Sequence, residues 1–232
     1  MDDVAPLDLK EVSHRPFPPP SRFPLLRMAW KEMVYLHWRV EPGWMQERVP
    51  ESLEVEVLDG SAWLSVVAFR MVGTRLSVGL PVAWWDFPEV NVRTYVRQDG
   101  VPGLRFLALH AADRATVAAG KVLGFPYRHG RIRLAPIQVT DRVRGEPPLE
   151  FTWVPGAPRA ATPLDSQLVD RFVAFGGADG RGRQLHVHHA PVPLRDAVAQ
   201  VVRGGTLPRE VWRRPPDLVH ASLGCEVAAW IR

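Results

Sequence analysis

A chain of 232 residues that is 46% hydrophobic, with nine Trp and nine Phe, has ample apolar side chain for a packed core, and its single cysteine, Cys225, excludes an intramolecular disulfide framework. The net charge of +4 is modest, because arginine stands in for lysine nearly everywhere and raises the isoelectric point without building a strong field; Lys10, Lys31 and Lys121 are the only lysines. Basic residues lie scattered among acids and aromatics with no run of five and no zinc-finger or RNP-like spacing, so no nucleic-acid partner is expected.

Residues 1–24 include "RPFPPPSRFP", whose prolines fix φ and remove donors, so an extended arm is expected that wraps the domain or stays loose. The first residues, "MDDVAPLDLKEV", are acidic and lack the basic-then-apolar order of a secretory leader, and a cytoplasmic location is expected. Residues 25–232 read as one domain, with no repeat or linker to divide them. "KEMVYLHWRV" is rich in aromatic and β-branched residues and predicts a strand that ends at "EPGW", where Pro42 starts a short helix. Asp59-Gly60 and Asp99-Gly100 each sit between alternating apolar runs and predict two hairpins.

No apolar run approaches the roughly 20 residues of a membrane helix, the most apolar stretch being broken at Gly79 and Pro81, so no membrane partner is expected. "DRATVAAGKVLG" is the best helix, with Asp113 as N-cap and Gly124 as stop. Strands are predicted from Tyr127 to Ala135, Ile137 to Val143 and Leu149 to Val154. A short helix is predicted around Leu164 to Val169, a hairpin around Gly176 to Gly182, and a last strand or hairpin in "LVHASLGCEVAAWIR". Strands at short spacing with few short helices imply an α+β fold that is predominantly antiparallel β, barrel-like or a sandwich.

Five segments in order, "WKEMVYLHWRVEPGWMQERVPESLEVEVLDGSAWLSVVAF", "FPEVNVRTYVRQDGVPGLRFLAL", "GFPYRHGRI", "LVDRFVAF" and "HAPVPL", resemble the YqjF-like family of uncharacterised bacterial proteins. That family is similar in turn to the acetoacetate decarboxylases, so the resemblance implies an acetoacetate decarboxylase-like fold from about Trp30 to the C-terminus. It also implies a pocket. By position, the arginine that contacts substrate in the decarboxylases corresponds to Lys31, and their catalytic carboxylate to Glu89 in "FPEVNV". Their Schiff-base lysine corresponds to Tyr127, and the neighbouring lysine to Arg128. A phenol cannot condense with a ketone to an imine, so Schiff-base decarboxylation is not expected.

Alternation along "EVNVRTYVR" puts Glu89, Asn91, Arg93, Tyr95 and Arg97 on one face, polar throughout, which meets either solvent or a polar cavity. The resemblance assigns Glu89 and Asn91 to the cavity, whereas Arg93 and Arg97 read as a solvated or ion-paired face. In "YRHGRIR" Tyr127, His129, Arg131 and Arg133 share one face. Glu89 and Tyr127 are the candidate acid-base pair, with Lys31, Asn91, Arg128 and His129 as candidate ligand contacts. His186 and His188 share a strand face, but zinc needs a third ligand that no recognisable spacing supplies, so neither a metal nor another cofactor is expected. Trp84-Trp85 either pack against the arm or lid the pocket. Two functional classes remain open: acid-base chemistry on a small carbonyl or carboxylate compound without an imine, and binding of such a ligand without chemistry.

Overall fold

In the computed structural model, which describes residues 6–77 and 85–232, both Asp-Gly pairs turn with positive φ at both residues, the signature of a tight turn matched to strand twist. The elements in chain order are β1 (Leu26–Val40), α1 (Pro42–Gln46), β2 (Glu54–Val55), β3 (Ala62–Leu76), β4 (Trp85–Gln98), β5 (Val101–Ala111), α2 (Arg114–Val122) and β6 (Tyr127–Ala135). They continue as β7 (Gln138–Val143), β8 (Leu149–Pro158), α3 (Pro163–Val169), β9 (Val173–Phe175), β10 (Gln184–His188), β11 (Arg195–Gly204), α4 (Arg209–Trp212) and β12 (Leu218–Ile231). Asp99-Gly100 joins β4 to β5 directly. The Asp59-Gly60 turn closes only a Leu58–Ser61 bridge, after which its arms part and β2 pairs with β4.

The twelve strands of the described residues form one mixed sheet, antiparallel except where β5 runs parallel to β6 and to β9. The sheet forks twice: β5 pairs with β4, β6 and β9, and β12 pairs with β1, β10 and β11. One branch closes β1, β3, β4, β5, β9, β10 and β12 into a barrel. The other carries β6, β7, β8 and β11 across the outside of the shared wall.

Strands of that wall are covered on both faces, which is why β3 reads as a near-continuous apolar run. Val66 and Ala68 of β3 join Val90 and Val92 of β4 in the core between wall and outer layer; Val67, Phe69 and Phe87 face the barrel interior. The helices follow their caps. Asp113 accepts from Thr116 N ahead of α2, and Thr162 and Asp165 form a reciprocal capping box on α3. Among the described residues, no helix is long and apolar enough to cross a membrane.

Two bulges set which side chains enter the barrel. In β1 the register shifts between Lys31 and Val34, with Glu32 at φ 53, so the inward set changes from Met28 and Trp30 to Met33 and Tyr35. In β5 the shift opposite Val92 and Arg93 leaves Leu107 unpaired. The β1 bulge lies against Gly224, where an added Cβ would stand 1.9 Å from the Trp30 carbonyl oxygen. Backbone cannot yield as a flexible side chain does, so Gly224→Ala is expected to destabilise the fold by about 2 kcal/mol or more. Chemical denaturation measures this, and an unchanged midpoint would show that β1 and β12 separate at no cost.

Arm residues lie along β10 and β12. Arg15 is buried, donates to Val187 O and sits with its guanidinium 4.2 Å from the Phe172 ring centroid; His188 bonds Asp8 O; Trp230 donates to Arg22 O. His186 and His188 thus point away from the barrel interior toward the arm, and no metal-holding group of three or more ligands occurs among the described residues.

Candidate functional site

β4 descends the inner wall of the barrel from Trp85 and presents Phe87, Glu89, Asn91 and Arg93 to a cavity of about 470 Å³. The volume falls within the range of small-molecule sites. Its upper rim includes Leu25 and Leu76, both partly exposed, and its floor includes Tyr35, Arg93 and Arg171, all buried. The walls are chiefly apolar: Met28, Trp30, Met33, Phe69, Phe106 and Phe125 are among them. Trp85 lines the cavity and donates to Thr116 Oγ1 of α2; Trp84 lies outside the described residues.

Glu89 is 4% exposed and accepts a hydrogen bond of 2.9 Å from the Tyr127 hydroxyl. Tyr127 is placed by two local features. It opens β6 directly after Pro126, and its ring packs on Gly120 of α2, where an added Cβ would meet the ring at 2.1 Å. Burial pushes the Glu89 carboxyl up to about 7, even though Tyr127, Asn91 and the more distant His110 favour its ionised form. Burial and the adjacent Glu89 raise the Tyr127 phenol well above its ordinary range. The pair therefore combines a carboxyl that exchanges its proton near neutrality with a phenol that stays protonated.

Residues 27–226 match DUF2071, a family described as an uncharacterized conserved protein. The chain belongs to that family. The DUF2071 chain is 27% identical to the uncharacterized protein YqjF of Bacillus subtilis (strain 168), over 89% of this chain and 90% of that protein. Several solved structures share its fold. The enduracididine biosynthesis enzyme MppR, in complex with pyruvate, superposes with a TM-score of 0.59 at 18% identity, covering 100% of this chain and 96% of that one. The acetoacetate decarboxylase of Legionella pneumophila gives 0.58 at 13% identity, covering 100% and 97%. The expected acetoacetate decarboxylase-like, mainly antiparallel fold is thus the one observed.

Of the residues singled out in the sequence, Glu89, Asn91 and Tyr127 meet in the cavity, while Lys31, Arg128 and His129 do not line it. Strand parity explains Lys31: Trp30 takes the inward position and Lys31 lies opposite Gly224 and Arg70 on the other face. Arg128 is exposed and pairs with Glu146, which also approaches His110 at 3.3 Å, in a polar cluster of the outer layer. His129 is half-buried, one pleat beyond the cavity.

Arg93, read from sequence as part of a solvated or ion-paired face, is instead 7% exposed and lines the cavity. Its parity with Glu89 was visible, but only closure of the barrel turns that face inward. Arg97 keeps its surface place and pairs with Glu56 at 3.0 Å. Arg171 and Tyr35 of the floor carried no signal in the sequence beyond being large residues among apolar ones.

Proposed function

We propose that the cavity takes a small carbonyl compound and that Glu89, with Tyr127, moves a proton on it without an imine. The observation that carries this reading is the buried Glu89 carboxyl, raised to about 7, within 2.9 Å of a phenol. In its ionised form Glu89 removes a proton from the carbon beside the carbonyl: the C–H bond breaks, an O–H bond forms on the carboxyl, and the charge passes to the carbonyl oxygen. The Tyr127 hydroxyl, released from Glu89 as the carboxylate is protonated, donates to that oxygen. A carbonyl ligand is in keeping with the pyruvate held by MppR, a protein of like fold.

The test is exchange of deuterium from the solvent into carbons beside the carbonyl of small ketones and keto acids, followed by proton NMR. It is run beside a thermal-shift screen of the same compounds. Exchange that Tyr127→Phe slows supports the reading. Ligand-induced shifts that survive both Glu89→Gln and Tyr127→Phe unchanged would place the site elsewhere.

Binding without chemistry is the second reading, favoured by the phenol proton already being committed to Glu89 and by the apolar walls. Shifts without exchange would select it. Neither reading uses an imine, since no lysine lines the cavity: Lys121 is exposed on α2 and Lys31 faces away. Incubation with acetoacetate and borohydride is expected to leave the protein mass unchanged. A reduced adduct on Lys31 or Lys121 would restore the imine route.

A further inference from the structure

The floor of the cavity holds a cation in no direct ion pair among the described residues. Arg93 donates 2.9 Å to Leu168 O, and its guanidinium lies 5.5 and 5.8 Å from the ring centroids of Tyr35 and Tyr95. Its Nε has no partner, and it forms no ion pair among the described residues. Arg171 beside it is different, being neutralised by Glu56 at 2.6 Å. Asp170 is close enough for Arg93 to favour its ionised form, but its carboxylate accepts from Val192 N instead. Asn91, one pleat above, leaves its Oδ1 unpartnered as well. A buried guanidinium with an unpartnered donor in a chiefly apolar chamber is costly unless an anion arrives to pair with it.

The cation is also remote from the acid-base pair. Glu89 and Arg93 are four residues apart on one strand, so their Cα atoms stand about 13 Å apart at ~3.3 Å per residue. The bond to Leu168 O and the two rings hold the guanidinium at the floor rather than turned toward Glu89. Consistently, the groups that act on Glu89 are Tyr127, Asn91 and His110, not Arg93.

We propose that Arg93 is a carboxylate anchor, so that the cavity selects keto acids whose carbonyl is separated from the carboxylate by an apolar spacer of several carbons. The carboxylate pairs with Arg93 at the floor, the spacer lies along the apolar wall, and the carbonyl reaches Glu89 and Tyr127 halfway up. This rests on the reading of the cavity as a site for carbonyl ligands.

The test compares 7-oxooctanoate with 2-octanone, which replaces the carboxylate by a methyl end with little change of length, and with 2-oxooctanoate, whose two groups are adjacent. Binding is read from the fluorescence of Trp30 and Trp85, which line the cavity. A desolvated, charge-assisted pair predicts that wild type binds 7-oxooctanoate about tenfold or more tightly than either competitor. Arg93→Met is expected to bring the affinity for 7-oxooctanoate down to that for 2-octanone while leaving 2-octanone within about twofold. Arg93→Lys, which keeps the charge, is expected to retain part of the preference. If Arg93→Met does not fold, the wild-type comparison and Arg93→Lys decide.

Equal affinity of wild type for 7-oxooctanoate and 2-octanone, or equal loss of both in Arg93→Met, overturns the anchor and leaves the carbonyl site standing. Tight, Arg93-dependent binding without deuterium exchange supports the anchor and removes the acid-base chemistry. Binding of none of the three compounds overturns both.

Discussion

Glu89→Gln is expected to abolish proton exchange on carbonyl ligands and to stabilise the protein at alkaline pH. Glutamine keeps an acceptor for the Tyr127 hydroxyl and nearly the same shape, but it can neither accept nor lose a proton. Positioned acid-base groups contribute roughly 10²–10⁴-fold, so exchange should fall by about 10²-fold or more while ligand-induced thermal shifts are reduced without being lost. The wild-type rate should rise with pH through about 7, where the buried carboxyl ionises.

The effect on stability has a definite sign. Burial raises the Glu89 carboxyl from 4.5 to about 7, so between those values the folded chain holds a proton that the unfolded chain has released. Wild-type stability therefore falls as pH rises through that window, and above pH 7 the whole penalty, about 3 kcal/mol, is present. The glutamine variant lacks this slope. Denaturation curves of the two proteins should converge near pH 4 and separate above pH 7, with the variant the more stable. Parallel curves across that range would mean that Glu89 titrates as an exposed carboxyl does, and the acid-base reading would lose its basis.

What the sequence allowed to be read depended on whether a signal was local. Asp99-Gly100 needed only its own turn chemistry, and α2 only Asp113 and Gly124. The doubly covered β3 declared itself by an unbroken apolar run. β11 was missed because its pattern is inverted: Val198 and Val202 are exposed on its outer face while small Ala197 and Ala199 face inward. The glycine-rich turn from Gly176 to Gly182 does join β9 to β10 as an antiparallel hairpin, but the parallel pairing of the three-residue β9 with β5, about 70 residues away, left no local signal. Glu89 and Tyr127 were legible through family likeness joined to strand parity. Lys31 was misplaced by one residue of parity, because it is Trp30 that turns inward ahead of the Glu32 bulge, and a residue at φ 53 that is not glycine leaves no mark in the sequence. Arg93 shared a face with Glu89, and what the sequence lacked was the closure that makes this face the inside of a barrel.

Asp165→Ala should be the most destabilising of the substitutions considered, and its effect should reach the cavity floor. The carboxylate is 2% exposed and is used at both oxygens: Oδ2 accepts from Thr162 N and Thr162 Oγ1 at 2.7 Å and from Arg159 at 2.8 Å, and Oδ1 accepts from His220 at 2.8 Å. Burial alone would raise this carboxyl, but those donors outweigh it and hold it well below the usual carboxylate range. Removing the anion leaves the buried His220 imidazole and the Thr162 N–H and hydroxyl without their acceptor, while Arg159 keeps Asp196 at 2.9 Å and Thr162 Oγ1 still caps α3, a loss of about 3 kcal/mol. A depressed carboxylate contributes stability above its unfolded value of 3.8 and loses it as pH falls further, so the deficit of the variant should be full at pH 7 and shrink in strong acid. Asp165 fixes the start of α3, and near the end of that short helix Leu168 O accepts from both Arg93 and the Tyr95 hydroxyl. Loosening α3 therefore releases the two groups that hold the floor. Urea denaturation at pH 7 measures the first effect, and the affinity of the folded fraction for 7-oxooctanoate, expected to fall several-fold, measures the second. A variant within about 1 kcal/mol of wild type would show that His220 finds another partner and that α3 does not depend on Asp165.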